Sequence, residues 1–509
     1  MNKYLISSLV LTLMYVNKNL TNINSSRNIY YLSNSDFING TFRITNSGNY
    51  ILSEDIIFDP CATNNYKPFE HDIKSGKYSD KIGSPYNLGF FAAITIETNN
   101  VILDLNGFSI KQSIGHNLNQ RFFACIELAS SPFIPKQGPI SMSQKSNFVA
   151  ASNCVIKNGF LGKSSHHGIH GNDMNKVVIK DLVITDFEVA GIALNGATDS
   201  IIKNVKIKDS STNVKILSTF SQCSIINKFI KKIKLNNKDA FIKVNNEDIR
   251  IDNIITDLNT CIDRAQQGIF DKIFVNESEF PDANIYGLVL NSNGVVINDF
   301  SHGRKKESKG NKNILLENIE IYNLITQPVE IIGCQNKLNE SKPFTYGKGL
   351  FKGPVGDVID FRKIIDKNFD ELILSQLIFL KYNNKNEEST NKLLNYVATG
   401  DLTYLDELKK FTVSGSDSMA HIMKGNIGLF ISEGLDIKIN NCKISNIVSK
   451  GDKVGSDSLI LPGYINKQGI NSYGILMAGS KNVITTNLNI NNVISEFGSA
   501  KKIERLYTE

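Results

Sequence analysis

The chain contains no Trp, and its 11 Pro and 7 Cys are few for 509 residues. No run of about 18 apolar residues occurs anywhere, so a polytopic membrane protein is excluded. The seven Cys are scattered, odd in number and without a CxxC pair, which excludes a zinc ribbon and a dense disulfide framework. Charge of one sign is also lacking. Lys plus Arg is 56 and Asp plus Glu is 50, an even mixture that gives +6 and no nucleic-acid footprint. No cofactor fingerprint stands out, and none is expected.

What the chain has in excess is Asn, roughly 12% of residues, well above average usage. Its placement is periodic. Val155-Ile156-Lys157-Asn158 recurs as Val178-Ile179-Lys180-Asp181 and as Ile201-Ile202-Lys203-Asn204, each step being 23 residues. Leu161, Ile184 and Ile207 keep the step, as do Gly168-Ile169 and Gly191-Ile192. Gly428-Leu429-Phe430-Ile431 returns as Gly474-Ile475-Leu476-Met477 after 46 residues, twice 23. Counting 13 from the repeat's Gly lands on Asp181, Asn204, Asn441 and Asn487, and Asn318 sits in the same local context. An Asn at a turn adopts the left-handed conformation and bonds nearby backbone. Stacked coil upon coil, such Asn residues would form a ladder, while alternate Ile and Val fill a narrow core.

A unit this short cannot bury its apolar face alone, but stacked on its neighbours it can. The expected fold is therefore mainly β: a right-handed parallel β-helix solenoid of about 23 residues per coil, with a helical insert. At these residues, and at Ile44–Leu52, Ile94-Thr95-Ile96 and Val101–Ile110, the chain resembles the pectin-lyase-like β-helix superfamily. It is also similar to Asn-, Ile- and Lys-rich β-helix proteins of giant DNA viruses. The resemblance covers 40–60% of the chain in patches, and it speaks to fold more than to activity.

Lys3 and the apolar run Leu5–Val16 predict a signal peptide or short anchor over 1–22, and hence a secreted or virion/cell-surface setting. Coils are expected over 23–210, interrupted by a Pro-containing loop at 111–152, then over 284–334 and 425–509. A mixed or helical insert is expected at 211–283, with an amphipathic helix Leu217–Leu235 bearing Lys228, Lys231, Lys232 and Lys234. A helical subdomain is expected at 335–424, where Phe361, Ile364, Ile365, Phe369, Leu372 and Ile373 keep a helical period.

Three of the seven His fall in His166-His167-Gly168-Ile169-His170-Gly171-Asn172-Asp173. With Ile169 inward, His170 and Asn172 point outward, beside Ala193 and Asn195 of the next coil. His170 and Asp173 are the candidate catalytic pair, His as base. His166, His167, Asn172 and Asn195 are candidate binding residues on an exposed polar face. No carboxylate stands in register with His170. Convergence of Asp173 or Asp199 upon it would favour an enzyme. His166, His170 and Asp173 have metal-ligating chemistry, but a strand-and-loop run fixes no ligand geometry, so no metal is expected. Asp104 and Asn106 read as turn formers. His302-Gly303-Arg304 and the basic run to Lys312 offer a second, weaker surface for an acidic glycan.

Two functions are compatible with this pattern. The first is a non-catalytic β-helix protein that binds a cell-surface glycan or polysaccharide, or builds a surface. The second, implied by the resemblance, is a polysaccharide lyase or glycoside hydrolase with a degenerate site. Hydrolysis needs paired carboxylates.

Overall fold

The computed structural model describes residues 28–208 with short gaps at 65, 79–83, 87–88, 121–122 and 135–147. It further describes 241–244, 247–250, 291–298, 310–326, 425–449 and 471–506, apart from 497. The expected segment 1–22, the helix at 217–235, the subdomain at 335–424 and the basic run after His302 lie outside the described residues.

The described chain is mainly β. Its strands are divided between two long sheets, one of 13 strands and one of 9, and the strand pairings within them are parallel. Strand Asn175–Ile184 pairs with Ser152–Leu161 on one side and Thr198–Lys208 on the other. Strands His167–Asn172 and Ala190–Asn195, which lie between them in sequence, pair in the second sheet. Long parallel sheets entered by turns from alternate strands are what a β-solenoid requires. The exception is the small antiparallel pair Phe241–Val244 with Glu247–Arg250, inside the expected 211–283 insert.

Register makes the core. Ile156, Ile179, Ile202, Leu316 and Ile439 stand side by side across the first sheet, each at most 1% exposed. Facing them in the second sheet run Ile94, Ile126, Ile169, Ile192, Val295, Leu429 and Ile475. A fully buried side chain of this size contributes about 1.5–3 kcal/mol, so the stack is held by many similar terms. The recurring Gly also has a cause. A Cβ built on Gly191 would lie 2.6 Å from the Ile207 Cγ2 and 2.9 Å from the Gly294 carbonyl oxygen. Here the strand passes too close to the facing Ile for any side chain.

The Asn ladder is present. Asn204 donates to Asp181 Oδ1 at 2.9 Å, Asn318 to Asn204 Oδ1 at 2.9 Å, and Asn441 to Asn318 Oδ1 at 2.7 Å. Asn158, Asp181, Asn204, Asn318, Asn441 and Asn487 all have φ between 51° and 60°. Two further ladders escape the sequence pattern. Asn313 donates to Asp199 at 2.7 Å and Asn482 to Asp436 at 3.1 Å; Asn446 donates to Asn323 at 2.9 Å and Asn492 to Asn446. Asp104 and Asn106 are turn formers: the Asn106 amide donates to Asp104 Oδ1 at 2.9 Å, and Lys157 pairs with Asp104 at 2.9 Å.

The stack continues across its interruptions. Asn204 and Asn318 are 114 residues apart in sequence, yet bonded as neighbours, and Asn318 and Asn441 are 123 apart. Excursions 209–290, 327–424 and 450–470 each leave after a first-sheet strand and return at a second-sheet strand. The segment expected as loop 111–152 is different. It carries a short helix, Ile114–Asn119, and a second-sheet strand, Ala124–Glu127, before its excursion. That strand places a residue the sequence pattern passed over.

Candidate functional site

The outward side of the second sheet carries a register column. Arg43 aligns with Thr95, Thr95 with Glu127, Glu127 with His170, His170 with Ala193, Ala193 with Val296, and Val296 with Phe430. The column is polar in the early coils and apolar in the later ones. Arg43 is engaged: its Nε and Nη2 hold Glu97 at 2.8 and 2.7 Å. The Glu97 carboxylate also accepts from Thr95 Oγ1 at 2.7 Å.

His170 does have a carboxylate in register. Glu127 Oε2 lies 2.6 Å from His170 Nδ1. The expectation of an empty register was wrong because Ala124–Glu127 lay in a presumed loop. The expectation of an exposed face is also corrected. His167, His170, Asn172 and Asn195 are 9%, 8%, 3% and 5% exposed, and Glu127 1%. His166 is half-buried.

The hydrogen bonds fix the proton positions. Asn172 Nδ2 donates to the Pro132 carbonyl oxygen at 2.9 Å, and a carbonyl can only accept. Asn172 Oδ1 therefore faces Asn195, whose Nδ2 donates to it at 2.9 Å. The same Nδ2 lies 3.1 Å from His170 Nε2, so Nε2 accepts. The His170 proton is thus on Nδ1, donated to Glu127. A main-chain carbonyl three groups away sets the tautomer. Both His170 nitrogens are occupied.

Two polar atoms remain. Glu127 Oε1 and His167 Nδ1 are buried with no hydrogen-bond partner among the described residues. Burial raises the Glu127 carboxyl above its ordinary 4.5, against the pull of His170. Burial also holds His167 well below its ordinary 6.5, reinforced by His166 and His170. His167 Nδ1 is left buried and unpartnered among the described residues.

Both residues line a small cleft, partly open to solvent, whose water-accessible volume is about 30 Å³. Phe91, Phe123, Pro132, Phe133, His166 and His170 line it too. Phe91 and Phe123 precede strands Ala92–Ile96 and Ala124–Glu127, so they stand at the strand entries. Pro132 and Phe133 come from the excursion after Ala124–Glu127. The rings of His166 and His167 are 4.0 Å apart, and those of His167 and His170 stack at 5.0 Å.

Asp173 is not among the lining residues. It sits past Asn172 at a turn with φ 53°, its amide bonded to the Asn195 carbonyl. Asp199 belongs to an Asn ladder, accepting from Asn313 and Asn175. No group of three His, Cys, Asp or Glu suited to a metal occurs among the described residues. Cys61, Cys125, Cys154 and Cys442 are buried free thiols.

Glu127 was missed, although a signal existed. Phe91-Ala92-Ala93-Ile94-Thr95-Ile96 returns as Phe123-Ala124-Cys125-Ile126-Glu127-Leu128, a step of 123 − 91 = 32 and not 23.

No family model matches the chain, and no curated protein does. Among solved structures, it aligns with the Streptococcus pneumoniae surface protein and adhesin PfbA at 9% identity and a TM-score of 0.25. That alignment covers 82% of this chain and 66% of the adhesin, just under two thirds of its length. It also aligns with the A-module of a mannuronan C-5 epimerase of Azotobacter vinelandii at 7% identity and a TM-score of 0.26, covering 94% of this chain and 87% of that one. Overlays this loose carry no functional argument, and the architecture rests on the strand registers.

Proposed function

We propose that the chain is a right-handed parallel β-helix protein that binds a carbohydrate in the cleft above Glu127 and His170 without cutting it. A cell or virion surface is the setting this reading expects. The observation that carries it is the pairing of apolar rings with two buried, unpartnered acceptors, Glu127 Oε1 and His167 Nδ1. Sugar sites combine apolar walls with a few placed polar atoms. Among the described lining residues there is one carboxylate, where hydrolysis uses two. There is no Lys or Arg there to neutralise a uronate. His170 also has both nitrogens engaged, so it would have to leave Asn195 before acting as a base.

One observation favours the enzyme reading. Glu127 is a buried carboxyl with a raised pKa beside a His, as general acids are. One experiment separates the two. The full chain is applied to a panel of neutral, amino and acidic polysaccharides, and both retention and new reducing or unsaturated ends are followed. Retention without product supports binding. Product lost in His170→Ala establishes catalysis in this cleft. Neither retention nor product leaves a structural surface protein.

A further inference from the structure

The cleft's polar chemistry is one-sided. His167 Nδ1 is buried against the cleft with no hydrogen-bond partner among the described residues. Glu127 Oε2 is taken by the His170 proton, and His170 Nε2 is taken by Asn195. Oε1 is left at 1% side-chain exposure, unpartnered. Arg43, in the same register column, is held by Glu97. No Lys or Arg stands beside this carboxylate in the described cleft lining, and burying a charge without a full counter-charge is costly.

We propose that the cleft selects a ligand with a protonated primary amine, which donates to Glu127 Oε1 and His167 Nδ1 beside the rings of Phe91, Phe123 and Phe133. In the carbohydrate reading above, on which this inference rests, the ligand is an amino sugar with a free amine. An ammonium brings three donors and no acceptor, matching two bare acceptors. It supplies the missing charge, and aromatic rings favour a desolvated cation. A hydroxyl satisfies one acceptor but leaves the charge. An N-acetyl group removes the cation. A uronate carboxylate would meet Glu127 as a like charge. The cleft thus discriminates against acidic sugars.

The test is calorimetric titration of the full chain near pH 7 with glucosamine, glucose, N-acetylglucosamine, glucuronate and methylammonium. Glucosamine is expected to bind about tenfold or more tightly than glucose, an ion pair in a partly dry site being worth at least that. N-acetylglucosamine should fall to the glucose level and glucuronate should not bind. Glu127→Gln should bring glucosamine down to the glucose level. Should that variant fail to fold, wild-type affinity across pH serves instead. It must weaken toward acid, because protonating Glu127 removes the anion. Equal binding of glucose and glucosamine overturns the amine inference and leaves the carbohydrate reading standing. Methylammonium binding with every sugar silent upholds the ammonium site and overturns the carbohydrate reading. Silence from all five overturns both.

Discussion

The Asn ladder and the His–Glu column are both stacks of polar side chains on neighbouring coils, yet they end differently. In the ladder each donor meets the next acceptor: Asn204 on Asp181, Asn318 on Asn204, Asn441 on Asn318. It lies at the surface and repeats, each member bonded to the next. The column runs from Pro132 through Asn172, Asn195 and His170 to Glu127, then stops with Oε1 bare. It is buried and occurs once among the described residues. A repeated surface network is explained by stability, whereas an unrepeated buried one that ends on a bare acceptor in a cleft points to a ligand.

Substitutions should separate the two. Gly191→Val has the largest expected effect and ignores the distinction. The new side chain meets Ile207 and the Gly294 carbonyl, and a loss of about 3 kcal/mol is expected in urea unfolding. Breaking the ladder comes next. Asn204→Ala removes two hydrogen bonds and puts Ala at φ 53°, for a loss of about 1–2 kcal/mol. Asn204→Gly should recover part of it by relieving the backbone. Breaking the column should do the opposite. Glu127→Gln removes an uncompensated buried charge, so unliganded stability should hold or rise by up to about 1 kcal/mol while ligand preference is lost. A loss as large as that of Asn204→Ala would make the column structural.

The smallest effect is the pH dependence. Glu127 holds its proton more tightly folded than unfolded, so its contribution falls as pH rises from about 4.5 through its raised folded value. His167 is held below 6.5, so its contribution is intact above 6.5 and is lost as pH falls through 6.5 toward the folded value. Melting temperatures from pH 4 to 8 should show Glu127→Gln gaining most at the neutral end. His167→Phe should flatten the loss at the acid end.

The fold was legible because the ladder made it so. Asn at one place in a 23-residue step is a backbone requirement, and φ near 53° at Asn204 is its cause. The site was half legible. Three crowded His marked the column's middle, but not their burial, which depends on Pro132 and Phe133 from an aperiodic excursion. Glu127 stood in a coil whose entries step by 32 residues from Phe91 to Phe123 and by 166 − 123 = 43 from Phe123 to His166. A search tuned to 23 passes over it. The feature that breaks the period carries the carboxylate, which is why the same regularity that revealed the solenoid concealed the residue.

The central claim is that His167 Nδ1 and Glu127 Oε1 are open acceptors awaiting a donor. Nitrogen spectra of the full chain labelled only at its seven His test it directly. Without ligand, His170 should read as protonated at Nδ1 and His167 as bearing a bare Nδ1. Saturating glucosamine should move the His167 Nδ1 signal to that of a hydrogen-bonded acceptor, and glucuronate should leave it in place. Glucosamine that binds without moving His167, or a His170 protonated at Nε2 in the free protein, would contradict the account.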